Sequence, residues 1–129
     1  MDADRILGFA IDRAGAVNTY WNIYIAVAST VIGAVISLSG SDATVSAPAI
    51  KPVLAGAFIV FALSNLGAIK QLGRLRSALL AMLPGEMDNR AAIVESLKPR
   101  SAAVYTGFHL TLDVLVLAVI FHQDLPWPG

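Results

Sequence analysis

Two ionisable side chains stand inside a stretch of chain that is otherwise almost wholly apolar. Residues 102–121 read AAVYTGFHLTLDVLVLAVIF, and this stretch includes Thr106, His109 and Asp113. On an α-helix their spacing places all three on one face, and the imidazole and the carboxyl, four residues apart, can meet directly. Such a pair is suited to binding a proton or a small cation, because the protonation of each group depends on the other.

The same residues have a purely structural interpretation. A charge at the centre of a membrane helix costs about 2.5–3.5 kcal/mol, so Asp113 must face protein or water, be paired, or be protonated. It can therefore be a polar clamp between helices, or a functional group that forms an acidic, cation-selective ring if the helix lines the pore of an oligomer. The sequence leaves both open. A metal site is disfavoured, because two ligands on one helix are too few.

The rest of the chain indicates that these residues lie in a membrane. The sequence has 129 residues, of which 57% are hydrophobic and only 14% charged. Three apolar segments, at about 19–39, 52–69 and 102–121, are each long enough to cross a hydrocarbon core of about 30 Å, and in lipid each must be helical. We therefore predict an all-α membrane protein with three transmembrane helices, forming a single domain over residues 1–129.

Two further helical segments are predicted outside the spans. Residues 2–15 place apolar side chains on one face, which favours a short amphipathic helix lying on the membrane surface. In the 70–98 connection the second span is predicted to continue past Lys70 until Pro84, because leucines recur at helical spacing. A short helix over about 88–97, with Asp88 as its N-cap, should follow. The recurring leucines are Leu72, Leu75, Leu79 and Leu83.

The basic residues predict the orientation. Eight of the nine Lys and Arg residues lie in the N-terminal segment or the 70–100 connection, and only Lys51 lies in the loop between the first two spans. By the positive-inside rule the N-terminus is cytoplasmic and the C-terminus outside, which predicts a multi-pass protein of the cell's inner (cytoplasmic) membrane. The N-terminus does not resemble a removable signal peptide. Aromatic residues mark the predicted interfaces: Tyr20, Trp21, Tyr24, Tyr105 and Trp127.

Small residues recur at helical spacing on the first two spans, a pattern that lets membrane helices approach closely. On the second span Asn65 lies on nearly the opposite face. A bundle of only three helices cannot easily provide partners for two polar faces on one span. We therefore expect association with other helices, either copies of this chain or other membrane subunits. The predicted packing residues are Ser29, Gly33 and Ser37 on the first span and Gly56, Ser64 and Gly67 on the second.

Two functions fit these patterns. The first is a homo-oligomeric channel or transporter for protons or small cations, centred on Asp113 and His109. The second is a non-catalytic accessory or assembly subunit of a larger membrane complex, in which Asp113 is a polar anchor. An enzyme is disfavoured, because no catalytic motif is visible, and we predict no cofactor. The basic segment 70–76 could bind anionic lipid headgroups, although membrane orientation alone explains it, and nucleic-acid binding is not expected.

Overall fold

Four α-helices make up the described part of the chain. The computed structural model describes residues 2–39 and 50–122, and the side chains of residues 38 and 39 are outside that description. The predicted loop between the first two spans and the tail that carries Trp127 also lie outside the described residues. The helices are α1 (Ala3–Ser39), α2 (Ile50–Ala81), α3 (Arg90–Leu97) and α4 (Ala102–Phe121).

Three of the helical segments are long and apolar enough to cross a membrane. The chain is therefore an all-α, multi-pass membrane protein by the composition of its helices, which confirms the predicted class. The third predicted span, 102–121, coincides with α4. Ser101 caps this helix, because its hydroxyl oxygen accepts a hydrogen bond from the Val104 backbone N–H at 3.3 Å.

The N-terminal segment is not a separate helix. Residues 2–15 were predicted to form one, but α1 is continuous from Ala3 to Ser39, because no proline interrupts it and a single glycine costs a helix only about 1 kcal/mol. Its apolar face is used inside the chain: Ile6 and Ala10 are buried against α2. A position on the membrane surface for this segment stays a prediction.

The second helix also extends beyond its apolar segment, as the leucine spacing predicts, and ends at Ala81. Not all of the recurring leucines of this segment are buried. Leu79 and Leu83 are buried. Leu75 is 45% exposed, and the neighbouring Arg76 is only 8% exposed. The Nε of Arg76 has no hydrogen-bond partner among the described residues.

A sharp turn precedes α3. Asn89, rather than the predicted Asp88, is the N-cap residue; it has a φ of 58° and makes no side-chain capping bond. Asparagine tolerates this left-handed conformation better than most residues, which explains its position at the turn. The helix itself spans Arg90–Leu97, close to the predicted 88–97.

The three long helices run up, down and up. Ile6 and Ala10 near the start of α1 meet the leucines at the end of α2, so these two helices are antiparallel. Trp21 of α1 contacts Tyr105 of α4, and Tyr24, further along α1, bonds to Asp113, further along α4, so those two helices are parallel. Between the three helices lies an apolar cluster, which we call the apolar plug, made of Ala28, Val35, Ala55, Phe58, Ala62, Val116 and Ile120 together with Tyr24 at its edge.

Candidate functional site in the bundle core

A carboxyl and a phenol meet at the centre of the bundle. The Tyr24 hydroxyl, from α1, donates a hydrogen bond to Oδ1 of Asp113, from α4, and the two oxygens are 2.6 Å apart. This distance is in the range of bonds from a hydroxyl to an ionised carboxylate. The same hydroxyl lies 3.4 Å from the His109 carbonyl oxygen, but its single proton is taken by the shorter contact. Tyr24 is completely buried.

The imidazole of His109 reaches the third helix of the bundle. Nδ2 of Asn65, on α2, lies 3.3 Å from Nε2 of His109, and both side chains are buried. The His109 ring is completely buried, and its centroid lies 3.9 Å from that of the Tyr24 ring. The four polar side chains Tyr24, Asn65, His109 and Asp113, which we call the core network, thus come from all three long helices.

One atom of the core network is unpaired. Nδ1 of His109 is buried and has no hydrogen-bond partner among the described residues. With the Asn65 amide donating to Nε2, the neutral imidazole carries its proton on Nδ1, so the unpaired group is a donor. Leaving a buried donor without a partner costs about 1–3 kcal/mol. Native proteins leave few such groups, so this one calls for an explanation.

Aromatic rings enclose the core network from the end of the bundle at which α4 begins. Trp21 packs edge-on against the His109 ring, with centroids 5.4 Å apart, and also against Tyr105 and Phe108. These rings, with Asn18 and Arg100 among others, line a cavity of about 300 Å³ on the far side of Trp21. Trp21 therefore separates His109 from an open cavity.

On the opposite side, the apolar plug closes the bundle. Val116 and Ile120 lie about one and two helical turns beyond Asp113 on α4. Both are buried against residues of α1 and α2. Asp113 itself is only half-buried, while its neighbours Leu110 and Val114 are 56% and 63% exposed. Asp113 thus lies at the border between the buried and the exposed faces of α4, and we call its partly exposed side the open edge.

The three predicted site residues are not brought together as one cluster. His109 and Asp113 are both in the core network, but each bonds to a different partner and neither to the other. The Thr106 hydroxyl donates to the carbonyl oxygen of Ala102 at 2.7 Å, within its own helix, and is not part of the network. Such a bond satisfies a hydroxyl on a membrane helix without a neighbour.

The predicted packing residues lie outside the bundle core. All six are exposed in the single chain, and a Cβ added at Gly33, Gly56 or Gly67 would meet nothing within 4 Å. Among the described residues they are not part of the buried core between α1, α2 and α4, and their role in helix packing stays a prediction. The six are Ser29, Gly33, Ser37, Gly56, Ser64 and Gly67.

The comparisons with known proteins do not decide what this arrangement does. No family model, no curated protein and no solved structure matches the chain. The site must therefore be interpreted from its own chemistry. Within the described residues, no three His, Asp or Glu side chains lie close enough together to hold a metal ion.

Sequence reasoning missed two members of the core network. From the sequence, Tyr24 is predicted to mark the membrane interface. Asn65 is identified only as a residue opposite the small residues of the second span. A signal for Tyr24 does exist: at 100° per residue it lies opposite the small-residue face of Ala26 and Ser29. If that face points outward, Tyr24 must point toward the other two helices.

Proposed function

We propose that the protein binds and transfers protons or small cations inside the membrane, with Asp113 as the charged centre and His109 as the second ionisable group, and that it does so as a homo-oligomer. The unpaired Nδ1 of His109 carries this proposal. A polar cluster that only holds helices together is most stable when all its donors and acceptors are paired. A site that gains and loses protons needs a group that is free to change partners.

The chemistry of the core network supports proton movement between its members. The Tyr24 hydroxyl is both a donor and an acceptor, and it bonds to Asp113 while the Tyr24 ring packs against the His109 ring. When His109 takes up a proton, both of its ring nitrogens become donors. Asn65 can then turn its amide through half a rotation and present its oxygen to Nε2, so the network accommodates either protonation state.

Access from one end of the bundle supports the same function. The cavity beyond Trp21 holds about 300 Å³, and this one ring separates it from His109. Water in that cavity would stand one side chain away from the imidazole.

The open edge of Asp113 supports the oligomer. A carboxyl that faces hydrocarbon in the middle of a membrane is costly, and such groups almost always face protein or a water-filled cavity. A helix of a second copy placed beside α4 would cover this edge and give the proton a second route away from the apolar plug. The exposed small residues of α1, Ser29 and Gly33, provide a face that allows close helix approach.

An accessory subunit is the second candidate, and the same exposed face of α1 favours it. There Ser29, Gly33 and Ser37 contact helices of a different protein, Asp113 bonds to that protein as a polar anchor, and no ion moves. Exposed apolar residues on the long helices fit contacts with the membrane or with another subunit equally well.

Proton flux and oligomeric mass separate the two candidates. We expect the purified protein in liposomes with a trapped pH-sensitive dye to pass protons under a diffusion potential. Asp113→Asn should abolish the flux and keep the oligomeric mass, whereas Asp12→Asn, the same change at an exposed carboxylate outside the core network, should leave both unaltered. Flux through Asp113→Asn equal to that of the unmodified protein would refute the role of Asp113. An inactive monomer that is stabilised by a different membrane protein would favour the accessory subunit.

A further inference from the structure

A second cavity lies between α2 and the start of α4. Its volume is about 380 Å³, within the range of about 300–1,000 Å³ typical of small-molecule sites. Lys70 and Arg74 line it from α2, and Arg100 lines it from the segment that leads into α4. The hydroxyl-bearing residues Ser77 and Ser101 contribute to the same wall.

The cavity gathers positive charge without any negative charge to balance it. Three of its lining residues are cationic and none is acidic. The only ion pair seen within residues 2–39 and 50–122 joins Lys98 to Glu95, and it involves none of the three. Bringing like charges together is unfavourable, so the arrangement is best compensated when an anion occupies the cavity.

The backbone of α4 adds to this preference. The helix has 20 residues, and its first turn, capped by Ser101, begins at the wall of the cavity. The N-terminus of a helix carries unpaired N–H groups and a partial positive charge, and both favour an anion. Together with the three cationic side chains, this chemistry fits a phosphate group.

The position of the cavity along the helices indicates which phosphate it receives. The apolar segment of α2 ends at Ile69, directly before Lys70, and the apolar segment of α4 begins at Ala102, directly after Arg100 and Ser101. The cavity therefore lies at the boundary between the apolar and polar parts of the bundle, where the headgroups of a membrane lie.

An apolar stripe leads away from the cavity into the membrane-spanning part of α2. Its four residues lie on the same helical face as Lys70, since they precede it by three, seven, eleven and fourteen positions. All four are exposed, and a Cβ at either of its two glycines would meet nothing within 4 Å, so the stripe is shallow and open. It is made of Gly56, Ile59, Leu63 and Gly67.

We propose that this cavity binds the phosphate headgroup of an anionic phospholipid, with an acyl chain lying along the stripe from Gly67 to Gly56. Lys70, Arg74 and Arg100 contact the phosphate. This gives the two glycines of α2 a role different from helix packing. The proposal involves no residue of the core network, although Arg100 also lines the cavity beyond Trp21, and its test measures lipid binding and not proton flux.

Native mass spectrometry of the purified protein tests this site. The protein is released from micelles that contain phosphatidylglycerol or phosphatidylcholine, and the mass of the protein ion shows whether lipid remains bound. The pocket variant carries Lys70→Gln, Arg74→Gln and Arg100→Gln. The matched control carries Arg5→Gln, Arg13→Gln and Lys98→Gln, which removes the same charge from residues that do not line the cavity. Circular dichroism verifies that both variants are folded.

We expect retention of phosphatidylglycerol but not of phosphatidylcholine, with an affinity that falls on the order of a hundredfold in the pocket variant and little in the control. Equal losses in the two variants would mean a diffuse basic surface and would overturn the site. Retention by the folded pocket variant would overturn it as well. Inorganic phosphate at excess is added as a competitor: if it binds and displaces the lipid fully, the site recognises free phosphate and the lipid assignment is wrong.

Discussion

The hydrogen bond between Tyr24 and Asp113 can be removed with almost no change of shape. Tyr24→Phe deletes one oxygen and keeps the ring, so the contacts of that ring with His109 and with Phe61, at centroid distances of 3.9 and 6.3 Å, remain. The change therefore isolates the contribution of the hydroxyl to the stability of the bundle.

The oxygen–oxygen distance sets the expected magnitude. At 2.6 Å the bond has the length of a charge-assisted bond, and hydrogen bonds to charged groups contribute about 1.5–3 kcal/mol. Hydrogen bonds between membrane helices average about 0.6 kcal/mol and reach about 1.7 kcal/mol. We expect Tyr24→Phe to lower the free energy of unfolding by about 1.5–3 kcal/mol if Asp113 is ionised, and by no more than about 1.7 kcal/mol if it is neutral.

Reversible unfolding in mixed detergent micelles, followed by circular dichroism, measures this free energy. Tyr24→Phe, Asp113→Leu and the double variant form a cycle whose coupling energy isolates the bond between the two side chains, because leucine is close to aspartate in size and cannot accept the Tyr24 proton. Tyr20→Phe is the matched control: it is the same change on the same helix, at a residue that is 41% exposed, and should alter stability by less than about 0.5 kcal/mol. A coupling energy below about 0.3 kcal/mol, the limit of additivity, would refute the bond as the link between α1 and α4.

Two further changes test the other contacts of the bundle. Asn65→Leu keeps the side-chain shape but leaves Nε2 of His109 without its partner, so we expect the free energy of unfolding to fall by about 1–3 kcal/mol in the same assay. The control Asn22→Leu, at an exposed position of α1, should not lower this free energy. Gly33→Leu has open space around its new side chain, so we expect the fold to remain intact and an oligomer that forms through this face to dissociate, as measured by mass in detergent. Gly15→Leu, at an equally open site before the predicted span, should not dissociate the oligomer. An unchanged oligomeric mass in Gly33→Leu would exclude this face as the interface.

The sequence predicted that three long apolar helices form, because hydropathy and helix breakers act locally. The bounds of α4 follow from Pro99 and Ser101 before it, and they agree with the predicted 102–121. Where no local signal exists, prediction was less accurate. Nothing near Gly15 breaks the helix, so the N-terminal segment continues into the first span instead of forming a separate element.

The partners in the core network could not be predicted in the same way, because they depend on how each helix is rotated about its axis. His109 and Asp113 were found since ionisable residues are rare in membrane spans. Their partners, Asn65 and Tyr24, are ordinary residues for membrane helices, and only the packing of α1 and α2 against α4 brings them within hydrogen-bond distance. The burial of Arg76 and the exposure of Leu75 have the same origin, since they also depend on how α2 is rotated about its axis.

The continuity of α1 has a mechanical consequence. At 1.5 Å per residue its 37 residues span about 55 Å, roughly 25 Å more than a hydrocarbon core, and no proline provides a hinge. Such a rod can curve gently, but a sharp kink requires an interruption of the backbone hydrogen-bond ladder. No proline hinge between Ile6 and Tyr24, about 27 Å apart along the helix, is therefore available to absorb a displacement of the N-terminal segment.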